Sequence, residues 1–205
     1  TMKLYPNVSI IFGIWAVAIL IIFYFGTFSF PHSSTSSKEF FKSLANWDGG
    51  HFLGIADGYD KTFQYAFFPL YPLLINLVSQ LTGSFLTAGI LISVVSSFLA
   101  VNLFYQLVTI EFGKESAQKS LYALLFFPMS FYFLTVYTEG LFFLLTIATF
   151  ILARKRRLLL AVVFASLASA TRLAGLAVVL GLVSYVYMTV GFNRKNWFSK
   201  FFPIL

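Results

Sequence analysis

The chain has 205 residues, of which 59% are hydrophobic and only 10% charged, and its mean hydropathy is +0.86. This composition excludes a soluble globular protein and is typical of a membrane protein. The net charge of +7 is explained better by basic loops on one side of a membrane than by nucleic acid, so no nucleic-acid partner is expected. The absence of Cys excludes disulfides, thiolate metal sites and a Cys nucleophile.

Two apolar runs are long enough to cross a bilayer as single helices. They are Val8–Phe28 and Phe85–Val108, and about 20 residues suffice for a crossing. Between them the sequence predicts a helix on the membrane surface over Lys38–Ala45 and a short apolar helix, Phe67–Leu81, that is interfacial or re-entrant. A charged loop over Glu111–Lys119 is predicted to follow the second span.

Two later apolar runs are interrupted by polar residues. Leu121–Val136 and Leu141–Ala153 flank the segment Tyr137–Gly140, and Leu158–Val190 is broken by Thr171 and Arg172. Each run is too long for one span, and each half is short. We therefore predict that each run forms a hairpin of two short membrane helices.

The distribution of basic residues predicts the orientation. With a cytoplasmic N-terminus and six crossings, the cytoplasmic side holds most of the 14 Lys and Arg residues, as the positive-inside rule requires. These are Lys3, Lys114, Lys119, Arg154, Lys155, Arg156, Arg157, Arg194, Lys195 and Lys200. The outer side holds Lys38, Lys42, Lys61 and Arg172. The predicted fold is one all-α polytopic membrane domain over residues 1–205, with about six crossings and interfacial helices in the first outer loop.

The polar cluster after the first span contains the best candidate for catalysis. Asp48 lies in the segment Trp47–Phe52, which reads WDGGHF and falls just outside the membrane. Polar groups beside a span are the first place to look for function in a membrane protein. Asp48 could act as a general base at the boundary of water and lipid. The alternative is that it only caps a helix that opens at Gly49.

His51 follows Asp48 by three residues, one helical turn on. The two side chains could ligate a metal, or His51 could orient Asp48 or donate to a phosphate. Since a stable metal site usually has three or more protein ligands, we assign no metal residue and leave a divalent cation open as a cofactor. A histidine that is hydrogen-bonded only within its loop is an equal alternative. Asp57 and Asp60 are interpreted as loop acids.

Arg172 and Glu139 are ionisable residues at the tips of the two predicted hairpins, where a charge is costly unless it is paired or functional. A guanidinium can bind two oxygens of a lipid phosphate, and the alternative is a structural ion pair with Glu139. Tyr137 and Glu139 could hydrogen-bond a polar substrate or could simply form a polar turn. We assign Trp47, His51, Tyr137, Glu139 and Arg172 to substrate binding.

An outer carboxylate near an arginine at lipid level suits one reaction class. A polyprenyl-phosphate sugar carries its phosphate at the depth of the headgroups and its tail in the bilayer. Arg172 would hold the phosphate and Asp48 would deprotonate the acceptor hydroxyl. In-line attack on the anomeric carbon would invert its configuration.

These segments resemble a known family. Trp47–Phe52, Ile55-Ala56, Gly58-Tyr59 and Ala66–Leu73, the last of which reads AFFPLYPL, are similar to the PIG-V family of the second GPI mannosyltransferase and its bacterial and archaeal relatives. Looser similarity is found at Phe127-Pro128, at Tyr137–Phe142 and at Thr171–Leu176.

The resemblance implies a GT-C glycosyltransferase bundle that takes a hexose, usually mannose, from a polyprenyl- or dolichyl-phosphate sugar. By the same resemblance Asp48 is the catalytic residue and Arg172 a candidate for the lipid-phosphate site. The acceptor would be a glycan, a glycolipid or a protein. The enzyme would lie in a plasma membrane or in the endoplasmic reticulum, with its site on the extracytoplasmic face. Because members of the family are about twice as long, the chain is expected to be the N-terminal part of a longer enzyme.

Two other functions remain open on the sequence. Broken helices and an intramembrane arginine would also suit a transporter or flippase fragment with a polar site in the membrane. A scaffold subunit of a larger complex would leave Asp48 replaceable.

Overall fold

The computed structural model describes residues 4–29 and 39–190, and these ranges form helices and connecting turns without a strand. The α-helices are α1 Pro6–Ser29, α2 Phe40–Ser43, α3 Asp48–Asp57, α4 Leu70–Thr82, α5 Phe85–Leu125, α6 Glu139–Arg154, α7 Leu158–Ser169 and α8 Gly175–Val190. Two 3-10 helices, Thr62–Ala66 and Pro128–Leu134, lie in the connections. The all-α membrane fold predicted from the sequence is confirmed.

The described helices include two that are long and apolar enough to cross a membrane, namely α1 and α5. A third candidate is the pair formed by Pro128–Leu134 and α6, which is bent by 94°. The helices α4, α7 and α8 are apolar but shorter. The six crossings therefore stay a prediction, and so does the interfacial or re-entrant position of α4.

The predicted loop over Glu111–Lys119 is wrong, because these residues are helical apart from Gly113. The Glu, Lys, Ala and Gln residues around Gly113 favour a helix, whereas Gly113 itself has φ 82° and ψ 170°, which interrupts the helix.

Two hydrogen bonds describe the path of α5 beyond this interruption. Ser97 donates to Phe133 O at 2.9 Å, and Ser130 donates to Leu125 O at 2.7 Å.

Those two hydrogen bonds show that α5 folds back at the glycine. Ser97 and Leu125 would stand about 42 Å apart along a straight helix, since each residue adds 1.5 Å. Both instead reach the same short 3-10 helix. We predicted that a loop would reverse the direction of the chain here, and the reversal is instead made at Gly113 alone.

The first predicted hairpin is also corrected. Its first arm, Leu121–Val136, is not one helix, because α5 ends at Leu125 and a 3-10 helix begins at Pro128. Proline has no backbone N–H and disfavours helical geometry in the residue before it, which here is Phe127. The second hairpin has the predicted form, with α7 and α8 on either side of a break at Thr171 and Arg172. We call residues 126–138 the connector.

The surface helix predicted over Lys38–Ala45 is shorter than expected. Its described part is α2, which begins at Phe40 and ends at Ser43. Lys38 itself lies outside the described residues, as do Lys3, Arg194, Lys195 and Lys200 among the basic residues used for the orientation.

The bundle has two chemically different ends. Arg154, at the end of α6, forms an ion pair with Glu111 beside Gly113, so the fold-back of α5 and the Arg154–Arg157 cluster lie together. We call this the basic end. Glu139 begins α6, about 22 Å away along that helix, and pairs with Arg172 at the break between α7 and α8. We call this the site end; which end faces the cytoplasm stays a prediction.

The site end is held by close contact between α5 and α6. A Cβ atom placed on Gly140 would stand 2.8 Å from Ser93 O and would also meet the Ser97 hydroxyl. Only a residue without a side chain lets α6 begin this close to α5. Ser93 and Ser97 themselves are fully buried.

We expect Gly140→Ala to destabilise the fold by about 1–3 kcal/mol, because the added methyl group overpacks a backbone contact. The matched control is Gly13→Ala in α1, where no atom lies within 4 Å of the added Cβ. Thermal unfolding in detergent should show a lower midpoint for the first variant and an unchanged or higher one for the second. Equal midpoints would contradict the close contact between α5 and α6.

Candidate functional site

Asp48 is the first residue of α3, and Trp47 occupies the N-cap position without a side-chain cap bond. The Asp48 carboxylate is exposed and accepts no hydrogen bond from any residue that the structure describes. The alternative role as a helix cap therefore receives no support. The positive end of the α3 dipole favours the negative charge at this position.

Trp47 has an unusual backbone, with φ 54° and ψ −122°. A residue with a side chain is strained in this region, at a cost of about 1–3 kcal/mol. Its indole does not compensate for the strain by burial, because Trp47 is 71% exposed. Asp48, the next residue, is exposed. Strain of this kind concentrates at functional sites.

The connector holds this strained turn through two hydrogen bonds. Val136 donates its backbone N–H to Leu44 O at 2.9 Å, and the Tyr137 hydroxyl donates to Asn46 O at 3.1 Å. Tyr137 thus contacts the turn that precedes Asp48.

The environment of the Tyr137 hydroxyl keeps it protonated. Tyr137 belongs to the connector and to no helix. Burial first, and then Tyr132, Asp48 and Glu139, raise the pKa of Tyr137 to about 12. Tyr137 therefore remains a hydrogen-bond donor at physiological pH. The negative charges of Asp48 and Glu139 both act on this hydroxyl.

Glu139 and Arg172 form an ion pair, with Arg172 Nη1 2.8 Å from Glu139 Oε1. The guanidinium also stands over the Phe142 ring, 5.7 Å from its centroid. Arg172 keeps 40% of its side chain exposed, so further N–H groups can reach a ligand. The ion pair that was the alternative to phosphate binding is therefore present, and phosphate binding by Arg172 stays a prediction.

The second oxygen of Glu139 is the less usual feature. Oε2 is buried and has no hydrogen-bond partner among the described residues. A buried acceptor without a donor is costly, so the position suits a ligand hydroxyl. Glu139 also lines a cavity of about 410 Å³, together with Ser130 and Tyr132 of the connector.

His51 lies on the same exposed side as Asp48 but packs against aromatic rings. Its ring centroid is 5.1 Å from that of Phe63 and 5.5 Å from that of Phe67. Nothing else that the structure describes joins Asp48 and His51 into a group of three or more metal ligands. Asp57 and Asp60 lie beyond, at the far end of α3 and in the loop after it.

Two residues of the site were not identified from the sequence. Tyr71 belongs to the AFFPLYPL segment and is fully buried; its hydroxyl lies 2.7 Å from Ser93 Oγ. Ser93 Oγ in turn donates to Tyr137 O at 3.2 Å. This hydroxyl chain links α4 and α5 to the connector. A serine within an apolar span was the available signal, since buried polar groups are hydrogen-bonded.

The break between α7 and α8 joins the same assembly through the backbone. Leu70 donates its N–H to Ala170 O at 2.9 Å, which ties the start of α4 to the residue just before Thr171 and Arg172. The segments around residues 47, 70, 137 and 171 thus meet at one end of the bundle.

The backbone of Trp47 gives a direct test of the strain. Glycine normally destabilises relative to alanine by about 0.5–1 kcal/mol, but it adopts positive φ without cost. We expect Trp47→Gly to be more stable than Trp47→Ala by about 1–2 kcal/mol, while both lose the indole equally. Thermal unfolding of the two variants in detergent measures this order, and an alanine variant more stable than the glycine variant would contradict it.

Comparison with known proteins identifies the family of the chain. No curated protein and no solved structure matches the chain. A protein-family model described as mannosyltransferase (PIG-V) matches residues 20–200, which include all four converging segments. Since this match covers most of the chain, the protein belongs to the PIG-V mannosyltransferase family, a family of membrane glycosyltransferases.

Proposed function

We propose that the protein transfers mannose from a polyprenyl- or dolichyl-phosphate sugar to an extracytoplasmic acceptor, with inversion at the anomeric carbon. Its membership of the PIG-V mannosyltransferase family supports the transfer of mannose. The observation that supports the mechanism is the unpaired carboxylate of Asp48, next to Tyr137 and on the same end of the bundle as the Glu139–Arg172 pair. An acid and a cation at one membrane boundary suit a lipid phosphate donor.

Asp48 is the general base of the proposed reaction. The acceptor hydroxyl oxygen attacks the anomeric carbon from the face opposite the phosphate, and its proton passes to the Asp48 carboxylate. The bond between the anomeric carbon and the phosphate oxygen breaks, and the lipid phosphate leaves with the electron pair. One displacement inverts the configuration, so a second carboxylate nucleophile is not needed.

Arg172 binds the phosphate of the donor. Its guanidinium offers five N–H groups in a planar fork, of which one Nη1 contact is used by Glu139. The remaining groups can bind two phosphate oxygens and stabilise the negative charge of the leaving group. Glu139 holds the guanidinium in place and offers its buried Oε2 to a hydroxyl of the sugar.

Three further side chains complete the proposed substrate site. The exposed indole of Trp47 offers a face for the sugar ring. His51, one helical turn after Asp48, can hydrogen-bond the acceptor or the phosphate. The Tyr137 hydroxyl gives its proton to Asn46 O and accepts from the Asp48 backbone N–H, and its remaining lone pair can accept from the substrate. The acceptor is a glycan, a glycolipid or a protein, and the membrane is a plasma membrane or the endoplasmic reticulum.

One observation favours a second candidate function. The bend of 94° between the 3-10 helix Pro128–Leu134 and α6 would suit a broken membrane helix, which transporters and flippases use for a polar site. In that case the Glu139–Arg172 pair would carry the function and Asp48 would be dispensable. The comparison of Asp48 variants below separates the two.

We expect Asp48→Asn to lower mannosyl transfer about 10²- to 10⁴-fold, the usual contribution of a general base. Asp57→Asn is the matched control, because Asp57 is an exposed carboxylate at the other end of α3. Transfer of radiolabelled mannose from polyprenyl-phosphate mannose into membrane extracts, at equal expression, is the measurement. Equal transfer by the two variants would remove Asp48 from its role.

We expect Arg172→Lys to raise the KM for the donor about tenfold to a hundredfold, since lysine cannot bind two phosphate oxygens through a planar fork. Arg154→Lys is the control, because Arg154 forms its ion pair at the basic end. Initial rates at increasing donor concentration give the KM values. An unchanged KM in Arg172→Lys would show that the phosphate binds elsewhere.

A further inference from the structure

The short turn between α6 and α7, at the basic end, carries three cationic side chains without a partner. Lys155, Arg156 and Arg157 follow one another there, and all three are exposed. None of them forms an ion pair with a described residue, whereas Arg154, just before them, pairs with Glu111. We call Lys155, Arg156 and Arg157 the cationic turn.

The described carboxylates of this end do not neutralise the cationic turn. They are Glu111 and Glu115, on either side of Gly113, and each already has a partner. The partner of Glu115 is Lys119, at 2.7 Å. Three like charges on successive residues repel one another, and an anion that binds among them removes this repulsion. The turn is therefore electrostatically complementary to an anionic ligand.

The backbone of the cationic turn indicates that the Arg156 side chain is not there for the turn itself. Two hydrogen bonds of 2.9 Å end α6, from Arg156 N–H to Ala153 O and from Arg157 N–H to Leu152 O. This pattern usually has glycine at the position of Arg156, because the residue there has positive φ, here 58°. A Cβ atom is strained in that region. No polar contact of the Arg156 side chain with a described residue offsets the strain.

The exposed face of α7 continues from the cationic turn as apolar surface. α7 contains no charged residue, and the side that it buries consists of Leu158, Ala161, Ala165 and Ala168. Its other side exposes between 40% and 54% of Leu159, Leu160, Val162 and Val163. In a membrane protein such a face contacts acyl chains, and cations at its end lie near the headgroups. An acidic peptide would leave this face unmatched, whereas a phospholipid matches both parts.

We propose that the cationic turn and the exposed face of α7 bind an anionic phospholipid, with its phosphate at the three cations and its acyl chains along α7. This binding uses no step of mannosyl transfer, so the proposal does not rest on the function proposed above. Because α6 runs from Glu139 to this turn, the bound lipid would also hold the helix that begins at the site end at a defined depth in the membrane.

Native mass spectrometry of the purified chain in detergent, titrated with phosphatidylglycerol, counts the bound lipids and measures their affinity. The wild type should bind one phosphatidylglycerol, and phosphatidylcholine, which has no net charge, about tenfold or more less tightly. Arg156→Gly should lower the affinity for phosphatidylglycerol about fivefold, the contribution of one cation at a membrane surface. Changing Lys155→Gln, Arg156→Gly and Arg157→Gln together should lower it about a hundredfold.

Two controls separate a lipid site from an effect of folding or of net charge. Without lipid, the thermal midpoint of Arg156→Gly should be unchanged or higher, because glycine adopts positive φ without strain. Arg157→Gln is the second variant if Arg156→Gly unfolds. Lys119→Gln removes the same charge from the same end, but Lys119 is paired with Glu115, so the affinity should stay within about twofold of the wild type.

Each contrary result would overturn the proposal. These results are an equal loss of affinity in Lys119→Gln and Arg156→Gly, an unchanged affinity in the triple variant, and equal binding of phosphatidylglycerol and phosphatidylcholine. Displacement of the lipid by inorganic phosphate or by polyglutamate at matched concentration would show that any anion suffices, and would overturn it as well. Because the measurement needs no turnover, a chain that binds the lipid but transfers no mannose would refute the proposed function and leave this site in place.

Discussion

The site depends on residues 133–138, a stretch of backbone outside the α-helices that is largely buried against them. In hydrocarbon such backbone is tolerated only where the protein supplies partners for its polar groups. Two buried serines of α5 do so: Ser97 donates to Phe133 O and Ser93 donates to Tyr137 O. Gly140 removes the side chain that would keep α6 away from these serines. Without them the connector could not run beside α5, and nothing would support the loop that carries Asp48.

From this support the site is assembled by a few long-range bonds. Tyr137 holds the strained turn at Trp47 through Asn46 O, while Glu139, two residues later, holds Arg172. The groups left without partners at this end are those that a substrate would use. The Asp48 carboxylate is exposed, and one oxygen of Glu139 is buried and unpaired among the described residues. The fold thus keeps two carboxylates in different environments, one exposed and one partly buried.

The sequence was sufficient for the local features and insufficient for the long-range ones. Apolar length predicted α1 and the main part of α5, and polar residues in apolar runs predicted the breaks at Tyr137 and Arg172. The change of chain direction near Gly113 was predicted as a loop, but the helical state of its neighbours was missed, because charged helix formers also occur in loops. The backbone of Trp47 was not predictable, since positive φ in a large residue is imposed by tertiary contacts. For the same reason the sequence indicated Tyr137 but not the hydroxyls of Tyr71 and Ser93, which are hydrogen-bonded to each other and to Tyr137 O.

The stereochemistry of transfer tests the central claim most directly, because it reports whether the acceptor hydroxyl or a carboxylate of the enzyme attacks the anomeric carbon. A polyprenyl-phosphate mannose of one defined anomer is supplied to the purified enzyme, and the configuration of mannose in the product is read by proton NMR. The account has one proton-accepting carboxylate, Asp48, and an arginine on the leaving phosphate, and it predicts complete inversion. Retention would require a covalent intermediate on a nucleophilic carboxylate and would contradict the account.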